Sequence, residues 1–129
     1  MRSASIFAAL ACTVLVATAG CERQDEQIAG LSIPVPSEMK KVPDKVFSPI
    51  PGFKDGQATF TGKMTPDDIF TFYQRAMAAQ GWKQTTFMRG GKDQVTYTKD
   101  NRACLIWYTV APDGNAILTI MVGTLEPPK

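Results

Sequence analysis

The sequence predicts an α+β domain, a two-layer sandwich with one helix packed on an antiparallel sheet of about 4-6 strands in a strand-helix-strand meander. Three observations carry this. One amphipathic stretch, TPDDIFTFYQRAMAAQGW, has both ends marked. An alternating segment precedes it and four more follow at close spacing. Each gap between those four holds turn chemistry, which favours hairpins over crossovers.

The elements follow in chain order. Val46 to Phe53 contains Pro49 and Pro51, which confine any strand there to an edge or a short run. Gln57 to Gly62 alternates, with Ala58 and Phe60 on one face. The helix is expected over about 66 to 80. Thr65 suits the N-cap, Pro66 the first helical position, and Asp67 and Asp68 the positive end of the dipole. Ile69, Tyr73, Ala76 and Met77 recur at helical spacing, and Gly81 supplies the stop. Then come Trp82 to Met88, Gln94 to Lys99, Ala103 to Val110 and Ala116 to Thr124, separated by Gly90-Gly91, Asp100-Asn101 and Pro112-Asp113-Gly114-Asn115.

A helix covers one sheet face. Leu118, Ile120 and Val122 form an apolar set for the covered side, matched by Cys104, Ile106, Tyr108 and Val110 on the neighbouring strand. The opposite face then receives Leu105, Trp107, Ile117 and Met121 among threonines. These four are the candidates for an exposed apolar patch and a partner-binding face. Whether residues 33 to 46 fold across and cover that face stays open at this level.

The N-terminus is a separate matter. Arg2 precedes an apolar or small-residue run from Ile6 to Ala19, shorter than the roughly 20 apolar residues a membrane-spanning helix needs. That pattern is an export signal, residues 1-20. Two processing sites compete. Ala17-Thr18-Ala19 offers an ordinary cleavage after Ala19, while Thr18-Ala19-Gly20-Cys21 resembles a bacterial lipobox, with cleavage between Gly20 and Cys21 and acylation of Cys21. Thr18 stands where Leu is usual. The polar run Glu22 to Gln27 suits a tether, and acyl chains on one cysteine anchor through about 0.8 kcal/mol per buried CH₂. Residues 21-45, with Pro34, Pro36 and Pro43, read as the anchored N-terminus and a flexible linker in which Ile33, Val35 and Met39 can pack against the domain's edge; 46-125 as the globular domain; 126-129 as a tail. The expected location is the cell envelope, lipid-anchored and facing the periplasm, with Glu22 favouring the outer membrane. Processing after Ala19 would instead leave a soluble periplasmic protein, with a Cys21–Cys104 disulfide possible.

Composition narrows the function classes. The 129 residues are 44% hydrophobic and 20% charged, as in a globular chain. Removing Arg2 from the 14 Lys and Arg leaves 13 against 12 Asp and Glu, too balanced for a nucleic-acid binder. Histidine is absent, which removes the commonest general base and the commonest metal ligand. Cys104 lies mid-strand among apolar neighbours without a base to activate it, and reads as a structural thiol. No cysteine spacing suits a metal, and Gly90-Gly91-Lys92 lacks the spacing of a phosphate loop. Asp67 and Asp68 are explained by helix capping. The expectation is a protein without catalytic residues, metal or cofactor.

PVPSEMK, the stretch Phe72, Tyr73, Met77, Gly81, Trp82 and the later Cys104 and Ile106 together resemble a group of small bacterial lipoproteins with no established activity. The resemblance covers most of residues 34 to 123. The helix-plus-meander plan is also similar to helix-grip domains of envelope lipoproteins in outer-membrane assembly machinery, at the level of fold alone. The expected role is non-catalytic: contact with another envelope protein through the open sheet face. The alternative is a carrier or sensor holding a small apolar ligand between helix and sheet.

Overall fold

A computed structural model describes residues 23–43, 53–90 and 92–125. Eight strands and one helix follow in chain order. They are β1 (Arg23–Ile28), β2 (Leu31–Pro36), β3 (Lys40–Lys41), β4 (Gly56–Lys63), α1 (Pro66–Ala79), β5 (Lys83–Met88), β6 (Asp93–Lys99), β7 (Arg102–Val110) and β8 (Asn115–Thr124). The strands form a β1-β2 hairpin and a six-stranded sheet of order β3-β4-β8-β7-β6-β5. Every pairing among them is antiparallel. The molecule is α+β, one helix on an antiparallel sheet.

The helix forms where its end signals lie. Thr65 sits extended at the N-cap, and its Oγ1 accepts from the Asp68 backbone N–H at 3.1 Å. At the other end Gly81 adopts φ +86°. Its N–H donates to the Ala78 carbonyl at 3.0 Å, and the Trp82 N–H reaches back to Met77 at 3.0 Å. This is a Schellman closure, and the accompanying apolar pair is Met77 with Trp82, both buried.

One contiguous core lies on the helix side of the sheet. Ile69, Tyr73 and Met77 of α1 join Ala58 and Phe60 of β4, Val95 and Tyr97 of β6, Cys104, Ile106 and Tyr108 of β7, and Leu118, Ile120 and Val122 of β8. The ladder explains the grouping. Ile120 lies opposite Ala58 on one side and Ile106 on the other, and Tyr97 opposite Cys104, so all point to the same face. The apolar set assigned from alternation to the covered face is in place; Val110 packs at its rim.

Residues 23–43, read from sequence as a tether, are instead part of the body. Ile28, Ile33, Val35 and Met39 are buried in the main core, and β2 packs against α1. Two features hid this element. Pro34 and Pro36 speak against a central strand, but a two-stranded hairpin has only edges, where a missing N–H is tolerated. The turn is Ala29-Gly30, both at positive φ (51° and 79°), as a tight two-residue hairpin requires, and Ala is an uncommon choice there. The chain then crosses β4 so closely that a Cβ on Gly62 would lie 2.3 Å from the Glu38 carbonyl oxygen. Only glycine permits that approach, which delivers Met39 to the core and Lys40–Lys41 to the edge of β4. The Gln24 amide ties the hairpin down further, donating to the carbonyls of Pro36 and Met39.

Candidate functional site

The helix-covered face of β6 and β7 can be followed residue by residue beneath α1. From the helix C-terminal end the pairs run Lys99–Arg102, Tyr97–Cys104, Val95–Ile106 and Asp93–Tyr108. Tyr73 descends onto this strip from the helix, with Phe72 meeting its ring edge-on at 5.0 Å between centroids. The hydroxyls of Tyr73, Tyr97 and Tyr108 are buried and have no hydrogen-bond partner among the described residues. Buried polar groups are paired in the great majority of cases, and leaving one unpaired costs about 1–3 kcal/mol. Three such hydroxyls on one seam are therefore a concentration of unmet hydrogen-bonding capacity.

Their electrostatics tie two of them into one neighbourhood. Burial pushes the Tyr73 hydroxyl well above the usual phenol range, and the Cys104 thiol and Tyr97 add to the rise. Burial likewise raises Tyr97, with help from Cys104, to about 12. Tyr108 also reaches about 12 through burial and Asp93, with Arg89 pulling the other way. Cys104 is a free thiol, fully buried, pushed up to about 12 by desolvation. A thiolate is thus suppressed at neutral pH, and the phenols stand as neutral donors.

The seam is flanked by two openings. Near the helix C-terminus a cavity of about 250 Å³ is lined by Leu31, Ser32, Gln80, Trp82, Lys99, Asp100 and Arg102. Near the helix N-terminus a more open depression of about 480 Å³ runs along Met64, Pro66, Asp68, Val110 and Pro112. At each opening apolar residues that belong to the core, or pack on it, reach the rim: Trp82 and Leu31 at one, Met64 and Val110 at the other. Beside the second, Arg89 pairs with Asp67 and lies 5.6 Å from the Phe87 ring centroid, and Phe87 in turn contacts Phe70. Among the described residues, no three His, Cys, Asp or Glu side chains group as metal ligands would.

The other face differs from expectation. Leu105, Trp107, Ile117 and Met121 do share it, on adjacent strands, with Leu105 directly opposite Met121. Yet Leu105 is 2% exposed and Met121 4%; only Ile117, at 36%, stands out, and Trp107 is half-buried with the Lys92 ammonium 5.2 Å from its ring centroid. The exposed patch foreseen from four residues is therefore not there. Central position in the sheet contributes to this. β7 and β8 are the two central strands, so Leu105 is flanked by Thr96 and Met121, and Met121 by Gln57 and Leu105. Alternation tells which face a side chain takes but not how far it lies from the sheet edge. Nor do Ile33, Val35 and Met39 cover this face, because they pack into the helix-side core. Gly20 and Cys21, the cleavage and acylation positions, lie outside the described residues. No described helix is long and apolar enough to cross a membrane.

Residues 50–114, from just before β4 to the turn before β8, match the model of the START domain-like family. The chain belongs to that family. Comparison with curated proteins and with solved structures gives no match. The site residues missed from sequence are the tyrosines and the Lys99–Arg102 pair. Alternation already places Tyr97 with Val95, and Tyr108 with Cys104, on the covered face. What a sequence lacks is any sign that their hydroxyls go unpaired there.

Proposed function

We propose that this START domain-like chain is a non-catalytic binding domain that holds one small apolar or amphipathic molecule along the seam between α1 and the sheet. The observation that carries the reading is the trio of buried, unpaired hydroxyls of Tyr73, Tyr97 and Tyr108. An apolar core without such groups would be explained by packing alone. Polar atoms of a ligand lying along the seam accept hydrogen bonds that the protein leaves unmade, and apolar side chains on the same face meet the rest of the molecule. The helix then acts as the grip of a two-layer arrangement, closing over the sheet strip from Lys99–Arg102 to Asp93–Tyr108.

The test is native mass spectrometry of the Cys21→Ser chain, which lacks the proposed anchor and can be purified without detergent from its own host, followed by titration with 1-decanol. The expected result is one small-molecule adduct per chain, exchanged by decanol and weakened in Tyr73→Phe/Tyr97→Phe. Absence of any adduct together with no decanol binding overturns the reading.

The same proposal extends to where the domain works. Export and acylation at Cys21, supported by the apolar run 6–19 and the Thr18-Ala19-Gly20-Cys21 sequence, put the domain at a membrane of the cell envelope. Because β1 begins at Arg23, Glu22 alone separates that cysteine from the folded body, a span of at most about 7 Å. An anchor so short would hold the folded body close to the lipid surface, where an apolar ligand resides, in place of the long reach a flexible linker would give. Intact mass of the mature chain, with Cys21→Ser as control, decides this; an unmodified chain removes the anchor and leaves the binding reading intact. A protein partner on the opposite sheet face now has chiefly Trp107 and Ile117 to grasp, and ranks second.

A further inference from the structure

We propose that the 250 Å³ cavity at the C-terminal end of α1 takes the carboxylate head of an amphipathic molecule, held between Lys99 and Arg102. The apolar remainder of that molecule rests on the carrier reading above. Three observations carry the head-group assignment. First, Lys99 and Arg102 are direct cross-strand partners flanking the Asp100-Asn101 turn, and both line the cavity. Like charges placed directly opposite one another repel, so the pair needs negative charge between or beside it.

Second, the groups now facing these cations meet that need only in part. Lys99 Nζ donates to the Gln80 carbonyl at 2.6 Å, at the negative end of the helix dipole. Arg102 Nη2 donates to the Ala29 carbonyl at 3.2 Å, and the Asp55 carboxylate it pairs with lies 3.6 Å away, itself accepting from the Thr124 hydroxyl. The Arg102 Nε–H is buried with no partner among the described residues. A guanidinium presents its donors as a planar fork suited to a carboxylate, and a buried charged donor left idle is costly. Third, the remaining walls suit an apolar chain and a hydroxyl contact: Trp82, Leu31 and Ser32. Asp100, also on the wall, sets a second carboxylate beside the pair and so opposes an incoming anion, which gives the proposal a signature of sign.

The probes are decanoate and 1-decanol, equal in chain length, with acetate as a head group lacking a chain. Binding is read from Trp82 fluorescence in a Trp107→Phe background, since the chain has 2 tryptophans. Decanoate is expected to bind about tenfold tighter than decanol at pH 8, in line with one strong charge-assisted contact. Lys99→Gln should abolish most of that advantage, Asp100→Asn should enlarge it, and added salt should shrink it. Arg102→Gln is a weaker arbiter because Arg102 also ties down the hairpin turn; Lys99→Gln, checked for an unchanged melting curve, decides. Decanol binding as tightly as decanoate, or a decanoate advantage that survives Lys99→Gln, overturns the head-group site while leaving the carrier reading standing. Acetate binding as tightly as decanoate would mean a site for a free small anion, and overturns it too. If neither ten-carbon probe binds, both readings fall together.

Discussion

The two faces of the sheet both bury hydroxyls, and they treat them in opposite ways. On the outer face Thr59 of β4 and Thr119 of β8 are direct ladder partners, almost wholly buried, and their Oγ1 atoms lie 3.4 Å apart. One donates to the other, so each hydroxyl has a described partner. On the helix-covered face Tyr73, Tyr97 and Tyr108 are buried as deeply and pair with nothing described. Natural cores seldom leave such groups idle without a reason outside the packing itself. On the proposed reading the ligand lies on the helix-covered side, which a search for exposed apolar residues would pass over, while Leu105 and Met121 on the outer face are buried.

The largest effect tests which face holds the fold together. Ile120 is fully buried at the centre of the helix-side core, flanked by Ala58 and Ile106. Ile120→Ala should destabilise by about 3 kcal/mol, from lost burial plus the cavity left behind, and lower Tm by on the order of 10–20 °C. Calorimetry that found Ile120→Ala milder than Met121→Ala, one residue along on the other face, would reverse the roles given to the two faces.

An alkaline titration separates the faces next. The ionisable groups of the sheet interior lie on the covered side. Cys104 rises from 9.0 to about 12 and Tyr97 from 10.0 to about 12, both chiefly through burial. Acids whose folded pKa is raised hold their protons more tightly in the native state. Their contribution is complete below the unfolded pKa and is lost as pH climbs through the folded one. Unfolding free energy should therefore be level up to about pH 9 and decline from there towards about pH 12. Denaturant midpoints at pH 8, 10 and 11 measure it, and Cys104→Ala should flatten the onset of the decline. A curve already falling at pH 7, or one unchanged by Cys104→Ala, would mean that the thiol is not held neutral by the core.

How much of this could be read in the chain depends on which physical signal each part emits. The helix was legible to within a residue because Thr65, Pro66 and Gly81 act locally, through capping and backbone freedom, and nothing distant competes with them. The covered face of β7 and β8 was legible because alternation over nine and ten residues is hard to mimic. The β1-β2 hairpin was not. Its strands hold charges on one side and prolines on the other, its turn uses Ala29 where Asn or Gly is usual, and its apolar residues count only through what they meet in the tertiary core. The burial of Leu105 and Met121 was illegible for a related reason: it depends in part on β8 sitting between β4 and β7, a matter of strand order. The tyrosine seam falls between these cases. Its positions follow from alternation, whereas its unpaired hydroxyls appear only when three elements are assembled.

The smallest effect is the sharpest, because the two faces should differ in sign. Thr119→Val keeps the shape of the side chain but leaves the Thr59 hydroxyl buried without its partner, which should cost about 1 kcal/mol. Adding Thr59→Val removes the orphan as well, so the double variant should recover most of that loss, the non-additivity expected of two groups in contact. Tyr97→Phe removes a hydroxyl that has no described partner to abandon. In the ligand-free protein it should leave stability unchanged or raise it by up to about 1 kcal/mol, since a desolvated polar group disappears and no hydrogen bond is lost. With a bound molecule accepting from Tyr97 the sign inverts, and the variant should melt lower than wild type under the same ligand concentration. Paired melts of wild type and Tyr97→Phe, with and without 1-decanol, measure both signs in one experiment. A loss of stability in the free Tyr97→Phe protein comparable to that of Thr119→Val would mean that the tyrosine hydroxyl is already satisfied. The difference between the faces would then be one of packing alone, and the ligand would have to be sought at the helix ends instead of along the seam.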